Sequence, residues 1–338
     1  MKLGFGLVTC QRYPGDARSD ADLYREALEL AVEAERLGFD AYWLSEHHFV
    51  DDAYMPSLLT FAAAVAARTE RIEVATGVVL APLHHPLRLA EDAATIDLVS
   101  EGRLVLGVGL GWRQEEFEAL GIEQHRLGRR LEEIVEALRQ AWSDGLVTAG
   151  VPQPVAVTPK PARQGGPPIW IGGSAEPAVR RAGRIADGYL ASRITLDAFA
   201  ERCGWLREEL ERSERDPSGF GIGVSIVCFP WPDLEEGWRL IRDHAHYLLW
   251  KYGDMAGARA RTGPPPPAPP LNADDEQRLR AAAIVGTPEQ VAERIRGYAE
   301  AAGDNFQFVA RAYFPGLDPQ VQREVVRLLA EDVAPLLR

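Results

Sequence analysis

Short apolar runs alternate with segments of helical period eight times along the 338 residues, and no other feature restricts the fold so tightly. Residues 3–8 form a short, apolar, glycine-flanked run, the pattern of a strand buried on both faces. Residues 23–37 then place Leu23, Ala27, Leu30, Ala31, Ala34 and Leu37 at helical spacing, and Gly38 stands where helices prefer to stop. The pairing repeats. Further strands are expected at 39–44, 72–80, 103–108, 168–171, 188–191, 221–229 and 306–314. Helical patterns follow them at 58–67, 87–99, 127–142, 177–183, 197–210, 288–300 and 319–337, with Thr287 as an expected N-cap. Residues 147–157 have the makings of a small hairpin.

Strands that are apolar throughout, each followed by a helix, indicate a parallel sheet covered on both faces. Eight such units close most simply into a (β/α)8 TIM barrel. A doubly wound sheet would want a glycine fingerprint after its first strand, and Thr9-Cys10-Gln11-Arg12-Tyr13 does not supply one. The whole of 1–338 is expected to be one barrel domain, with 230–287 an extended insertion after the seventh strand. That insertion carries Pro264-Pro265-Pro266-Pro267-Ala268-Pro269-Pro270, which continues neither a helix nor a central strand. It would serve equally as a surface spacer or as a lid, since connections after barrel strands open on the catalytic face.

Bulk properties narrow the partners. The net charge of −13 argues against nucleic acid and against an anionic membrane surface, both of which reward basic patches. Cys10, Cys203 and Cys228 are widely spaced and unpaired by motif, so neither a disulfide framework nor a metal site is expected. The N-terminus enters a strand directly, with no secretory pattern, and a cytoplasmic location is expected.

Barrel chemistry gathers at the C-terminal ends of the strands. After the second stands Ser45-Glu46-His47-His48-Phe49, where an imidazole beside a carboxylate suits acid–base work. Neighbouring strand residues face opposite ways, so His47 and His48 are not expected to grip one metal ion. After the third come Thr76, Gly77 and Val78, a glycine in a buried strand marking a bulge or a close approach. His84 and His85 either border the same cavity or serve structurally before a helix starting at Pro86. After the fourth, Gly109-Leu110-Gly111-Trp112 would let a flat ring lie against backbone beside an apolar wall. After the fifth, Gly172-Gly173-Ser174 leads into a helix: glycines for close approach, a hydroxyl, and free N–H groups for an anion. A plain N-cap by Ser174 is the alternative.

Together these stretches resemble the bacterial luciferase-like flavin monooxygenase superfamily. The matching motifs include Gly4-Phe5-Gly6, Trp43 through Phe49, Thr76-Gly77-Val78, His85 through Asp92, Ser100 through Leu104, Ile169 through Ser174 and Val285 through Val291. The resemblance implies reduced flavin at the strand ends and a non-prolyl cis peptide at Gly77-Val78. It makes His47 catalytic and assigns cofactor contacts to Thr76, Gly77, Val78, Gly109, Gly172, Gly173 and Ser174; His48 and Trp112 are taken as substrate contacts. It further implies reduced FMN delivered by a separate flavin reductase, O2 and a hydrophobic organic substrate, and a homodimer. Two departures keep alternatives in view. Leu110 occupies the place of a phosphate-contacting arginine, and Gly109-Leu110-Gly111-Trp112 is more similar to the deazaflavin-using branch, which transfers hydride. A non-catalytic flavin-binding barrel is the third possibility.

Overall fold

The computed structural model describes residues 1–257, 261 and 263–338. Eight parallel strands follow one another around a closed barrel: β1 (Lys2–Val8), β2 (Ala41–Leu44), β3 (Glu73–Thr76, resumed at Val79–Leu80), β4 (Leu104–Gly109), β5 (Ile169–Gly172), β6 (Gly188–Ser192), β7 (Gly221–Pro230) and β8 (Phe306–Arg311). Phe308 of β8 is in register with Val224 of β7 on one side and Leu3 of β1 on the other, which closes the ring. This is the (β/α)8 barrel that the alternation implies.

The helices are α1 (Asp20–Leu37), α2 (Leu58–Arg68), α3 (Pro86–Val99), α4 (Gln114–Ala119), α5 (Leu127–Trp142), α6 (Glu176–Ile185), α7 (Leu196–Arg212), α8 (Leu234–Gly257), α9 (Ala273–Ala282), α10 (Pro288–Ala302) and α11 (Pro319–Leu328). Local sequence fixes their ends. Ser19 and Asp22 form a reciprocal capping box on α1, and Gly38 ends it at φ 88°, a backbone state that favours glycine. Thr287 and Gln290 build the same box on α10.

Two tryptophans fill the barrel interior. Trp43 and Trp170 pack with ring centroids 5.6 Å apart among Leu7, Ala41, Ala75, Val105, Leu190 and Val309. Glycines on facing strands make the room: a Cβ on Gly188 would lie 2.4 Å from the Trp170 ring, and one on Gly4 2.8 Å from Trp43. The second, larger core lies between the barrel and its helices.

The segment 230–287 is mostly regular structure rather than loop. It holds α8, α9 and a short strand, Ile284–Gly286, which pairs parallel with the end of β7. The proline run joins α8 to α9 without helix or strand. Residues 258–260 and 262 of this insertion lie outside the described residues. α8 is anchored by charge: Lys251, 1% exposed, pairs with Asp51 and, at 2.9 Å, with Asp254. The hairpin expected near 147–157 reduces to one antiparallel bridge, Val147 to Val155, and α4 was not anticipated.

Candidate active site

A cavity of about 390 Å³ opens at the C-terminal ends of the strands. Of the residues singled out in the sequence, His47, Gly77, Val78, Gly109, Trp112, Gly172, Gly173 and Ser174 line it. Thr76 and His48 do not.

The floor is made where β3 is interrupted. The Gly77–Val78 peptide is cis, as the resemblance implied; Gly6–Leu7 is also cis, which no sequence signal announced. Val78 turns its methyl groups towards β4 and β5. A Cβ on Gly109 would lie 2.6 Å from Val78 Cγ2, and one on Gly172 3.0 Å from Val78 Cγ1. These glycines are therefore required by the interrupted strand itself, before any ligand is considered. Thr76 is part of the same construction: its Oγ1 donates to the Gly107 carbonyl at 2.7 Å, so its side chain ties β3 to β4 and does not reach the cavity.

His47 is buried and its Nδ1 lies 2.9 Å from Glu116 Oε1. The carboxylate can only accept, so Nδ1 carries the proton and Nε2 is left uncommitted. The rings of Tyr54, Trp112 and Tyr252 surround the imidazole at centroid distances of 5.0, 5.6 and 5.6 Å. Glu116 also accepts from the His48 backbone N–H at 2.9 Å, which fixes the loop after β2. The His48 ring itself packs against Phe49, with Nε2 buried and unpartnered, and burial lowers its pKa. Both histidines lie beyond the end of β2, so the loop held by Glu116, and not strand alternation, turns only His47 into the cavity.

Glu46 lines the cavity beside His47 and accepts the Leu80 N–H at 2.7 Å. Burial outweighs that hydrogen bond and, with the charge of Glu116 adding to it, pushes the carboxyl up to about 8. At that value it carries a proton at neutral pH, and the proton is available to donate.

Ser174 does not cap α6. The cap position is Ala175, which makes no side-chain bond, so the Ser174 hydroxyl is not spent there. A Cβ on Gly173 would lie 2.7 Å from Ala178 Cβ, which shows how closely the turn folds onto its helix. Positive charge comes from α7: Arg202 Nη1 is 3.3 Å from the Tyr189 hydroxyl, which in turn donates to the Gly173 carbonyl at 2.7 Å. Arg202 thus stands beside the Gly172-Gly173-Ser174 turn and lines the same cavity.

The roof is Tyr252 of α8, whose hydroxyl meets that of Tyr54 at 3.2 Å; Tyr54 donates onward to Ser45 Oγ at 3.0 Å. Arg113 holds the roof to the β2 loop through the carbonyls of His48, Phe49 and Met255. Arg193 and Arg311 complete the lining. His84 and His85 border a different hollow of about 660 Å³, together with Arg126, Arg129 and Arg130. His85 also caps α3, Nδ1 accepting from Leu87 N at 3.3 Å.

Sequence reasoning did not single out Glu116, Arg193, Arg202 or Arg311. Arg311 carried a signal, a lone charge within the apolar run 306–314. Glu116 and Arg202 sit on helices, where a charged residue looks like ordinary surface.

Comparison with known proteins decides the family. The profile of the luciferase-like monooxygenases matches residues 1–305. The chain belongs to the luciferase-like monooxygenase family. Among solved structures, monooxygenase RslO1 from Streptomyces bottropensis superposes on this luciferase-like chain with a TM-score of 0.86 at 26% identity, covering 99% of each. The oxygenase component of a flavin-dependent trigonelline monooxygenase from Acinetobacter baylyi is 32% identical over 173 residues, 49% of this chain and 48% of that relative's own length. An F420-dependent glucose-6-phosphate dehydrogenase from Kineococcus radiotolerans is 28% identical over 356 residues, covering 100% of this chain and 97% of the relative. The luciferase-like relatives thus include flavin and deazaflavin enzymes, and the chain belongs to this superfamily of oxidoreductases. Among the described residues no helix is long and apolar enough to cross a membrane, and no group of three or more His, Cys, Asp or Glu side chains is placed to hold a metal ion.

Proposed function

We propose that this protein is the oxygenase component of a two-component monooxygenase, which uses reduced FMN from a separate reductase, together with O2, to oxidise a hydrophobic organic small molecule. One observation carries this reading: His47, oriented by Glu116, stands inside a cage of Tyr54, Trp112 and Tyr252 at the edge of the Gly77–Val78 floor. Such a cage keeps water from the reacting centre, which oxygen chemistry needs if reducing equivalents are to reach the substrate.

The residues present suit FMN. Gly77, Val78 and Gly109 offer a surface free of polar side chains for a flat ring. Ser174, the start of α6 and Arg202 together offer a hydroxyl, backbone N–H groups and a guanidinium for its phosphate. Reduced FMN, when bound there, supplies the electrons that activate O2. His47 Nε2 takes or gives the proton that the reaction moves, while Glu116 holds the imidazole in one tautomer. Protonated Glu46 donates a hydrogen bond into the cavity and adds no negative charge.

Leu110 favours a second reading, deazaflavin with hydride transfer, because it removes the cation expected in the β4 turn. Arg202, beside the Gly172-Gly173-Ser174 turn, supplies a cation to the same cavity, which keeps FMN in front. Anaerobic titration with reduced FMN and with reduced deazaflavin, followed by admission of O2, tests the choice. Tight FMN binding and O2-dependent product from an added organic substrate are expected. Tight binding of deazaflavin alone, with turnover that ignores O2, would replace this function with hydride transfer.

A further inference from the structure

Among the described residues, two guanidinium groups in the cavity have no carboxylate to balance them. Arg311, the last residue of β8, is 1% exposed; its Nη2 reaches only the Tyr252 hydroxyl, at 3.3 Å, and its Nε is buried with no partner. Arg193, just past β6 in a left-handed backbone state at φ 50°, lays its guanidinium over the Tyr252 ring, Cζ 4.4 Å from the centroid. Arg311 Cζ lies 5.4 Å from the same centroid. Among the described residues, the titratable groups acting on Arg193 are Tyr252, Arg311 and Tyr54, and burial lowers its pKa while Arg311 repels it.

Both groups stay charged at neutral pH, since a guanidinium does not deprotonate in a protein. The carboxyls nearest the chemistry offer no relief. Glu46 is protonated and bonded to Leu80, and Glu116 is committed to His47 and His48. A buried cation without a counter-ion is strongly unfavourable, which is the position of Arg311, and the more exposed Arg193 adds a second positive charge beside the same ring. An anion between them relieves both. The FMN phosphate is assigned to Ser174, the start of α6 and Arg202, which leaves Arg193 and Arg311 for another anion.

We propose that Arg311 and Arg193, both beside the Tyr252 ring, form a subsite for a carboxylate on the organic substrate, so that the substrate class is organic acids with an apolar or aromatic body. This rests on the oxygenase reading for its purpose, since it names what that reaction would oxidise. The guanidiniums supply fork-shaped donors that match a carboxylate. His47, 5.6 Å from the Tyr252 ring centroid, then stands beside the body of the same molecule.

Benzoate and its neutral counterpart benzamide serve as probes, titrated calorimetrically into the protein with and without FMN. Benzoate is expected to bind at least tenfold more tightly than benzamide. Arg311→Gln should weaken benzoate about 10- to 100-fold, the loss of charge-assisted hydrogen bonds, while leaving FMN affinity within about twofold. Arg193→Gln, at a more exposed position that tolerates exchange, should act in the same direction, and Arg311→Lys should restore part of the affinity. Equal binding of benzoate and benzamide would overturn the subsite. So would loss of FMN rather than benzoate in the two glutamine variants, which would assign the cations to the cofactor. A protein that binds benzoate but neither FMN nor deazaflavin keeps the anion site and loses the oxidation it would serve.

Discussion

Glu46 gives the sharpest test of the site's electrostatics. Its carboxyl titrates near 8 in the folded chain, mainly because it is buried, against an ordinary value of 4.5. Between those two values the folded state keeps a proton that the unfolded chain has released, so stability falls as pH rises from about 4.5 to about 8 and is level on either side. At about 1.4 kcal/mol for each pH unit, the accumulated loss at pH 7 is on the order of 3 kcal/mol. Glu46→Gln removes the proton from the account. The amide has nearly the same shape, carries no charge, and its oxygen can accept the Leu80 N–H that Glu46 now holds at 2.7 Å. The variant should match the parent near pH 4, exceed it progressively, and lead by about 3 kcal/mol at pH 7. Urea unfolding of both cofactor-free proteins across this range measures the gap directly. A gap that does not change with pH, or one that closes as pH rises, would refute the claim that the carboxyl is held neutral.

Three further outcomes follow from the geometry. His47→Ala should lower substrate-coupled turnover by about 10²- to 10⁴-fold, the usual reach of one acid–base group, with FMN affinity changed only a few-fold in a fluorescence titration. Thr76→Val leaves the buried Gly107 carbonyl without its 2.7 Å donor and should destabilise by about 1–3 kcal/mol in urea, with no change in cofactor affinity. Gly188→Ala drives a methyl group to 2.4 Å from the Trp170 ring and should lower stability by about 1–3 kcal/mol or prevent folding, visible as a lower or absent thermal transition.

The barrel was legible because each strand is a continuous apolar run, and burial on both faces leaves that pattern little freedom. The insertion was not, although Trp238, Ile241, Ala245 and Leu248 carry helical spacing and form the buried side of α8. The proline run downstream drew the segment towards loop, and nothing local says where such a helix will lie. The site divides the same way. His47, Gly77, Gly109 and Ser174 sit at strand ends, where the fold alone points the search. Glu116 and Arg202 reach the site from helices whose charges look solvated in the sequence. The glycines have a role that the sequence does not display: Gly109 and Gly172 make room for Val78.

Beneath the pocket, Trp43 and Trp170 interlock with Gly4, Gly188, Gly221 and Gly223 like wards in a lock. Deepening the chamber from below would require a ring and its facing glycines to change at once, since either step alone leaves a collision or a void. Tyr252 hangs from a helix that belongs to no strand of the barrel, and it can be exchanged without disturbing that mechanism. New substrate preferences are thus most easily reached by rewriting the insertion while the barrel descends unaltered.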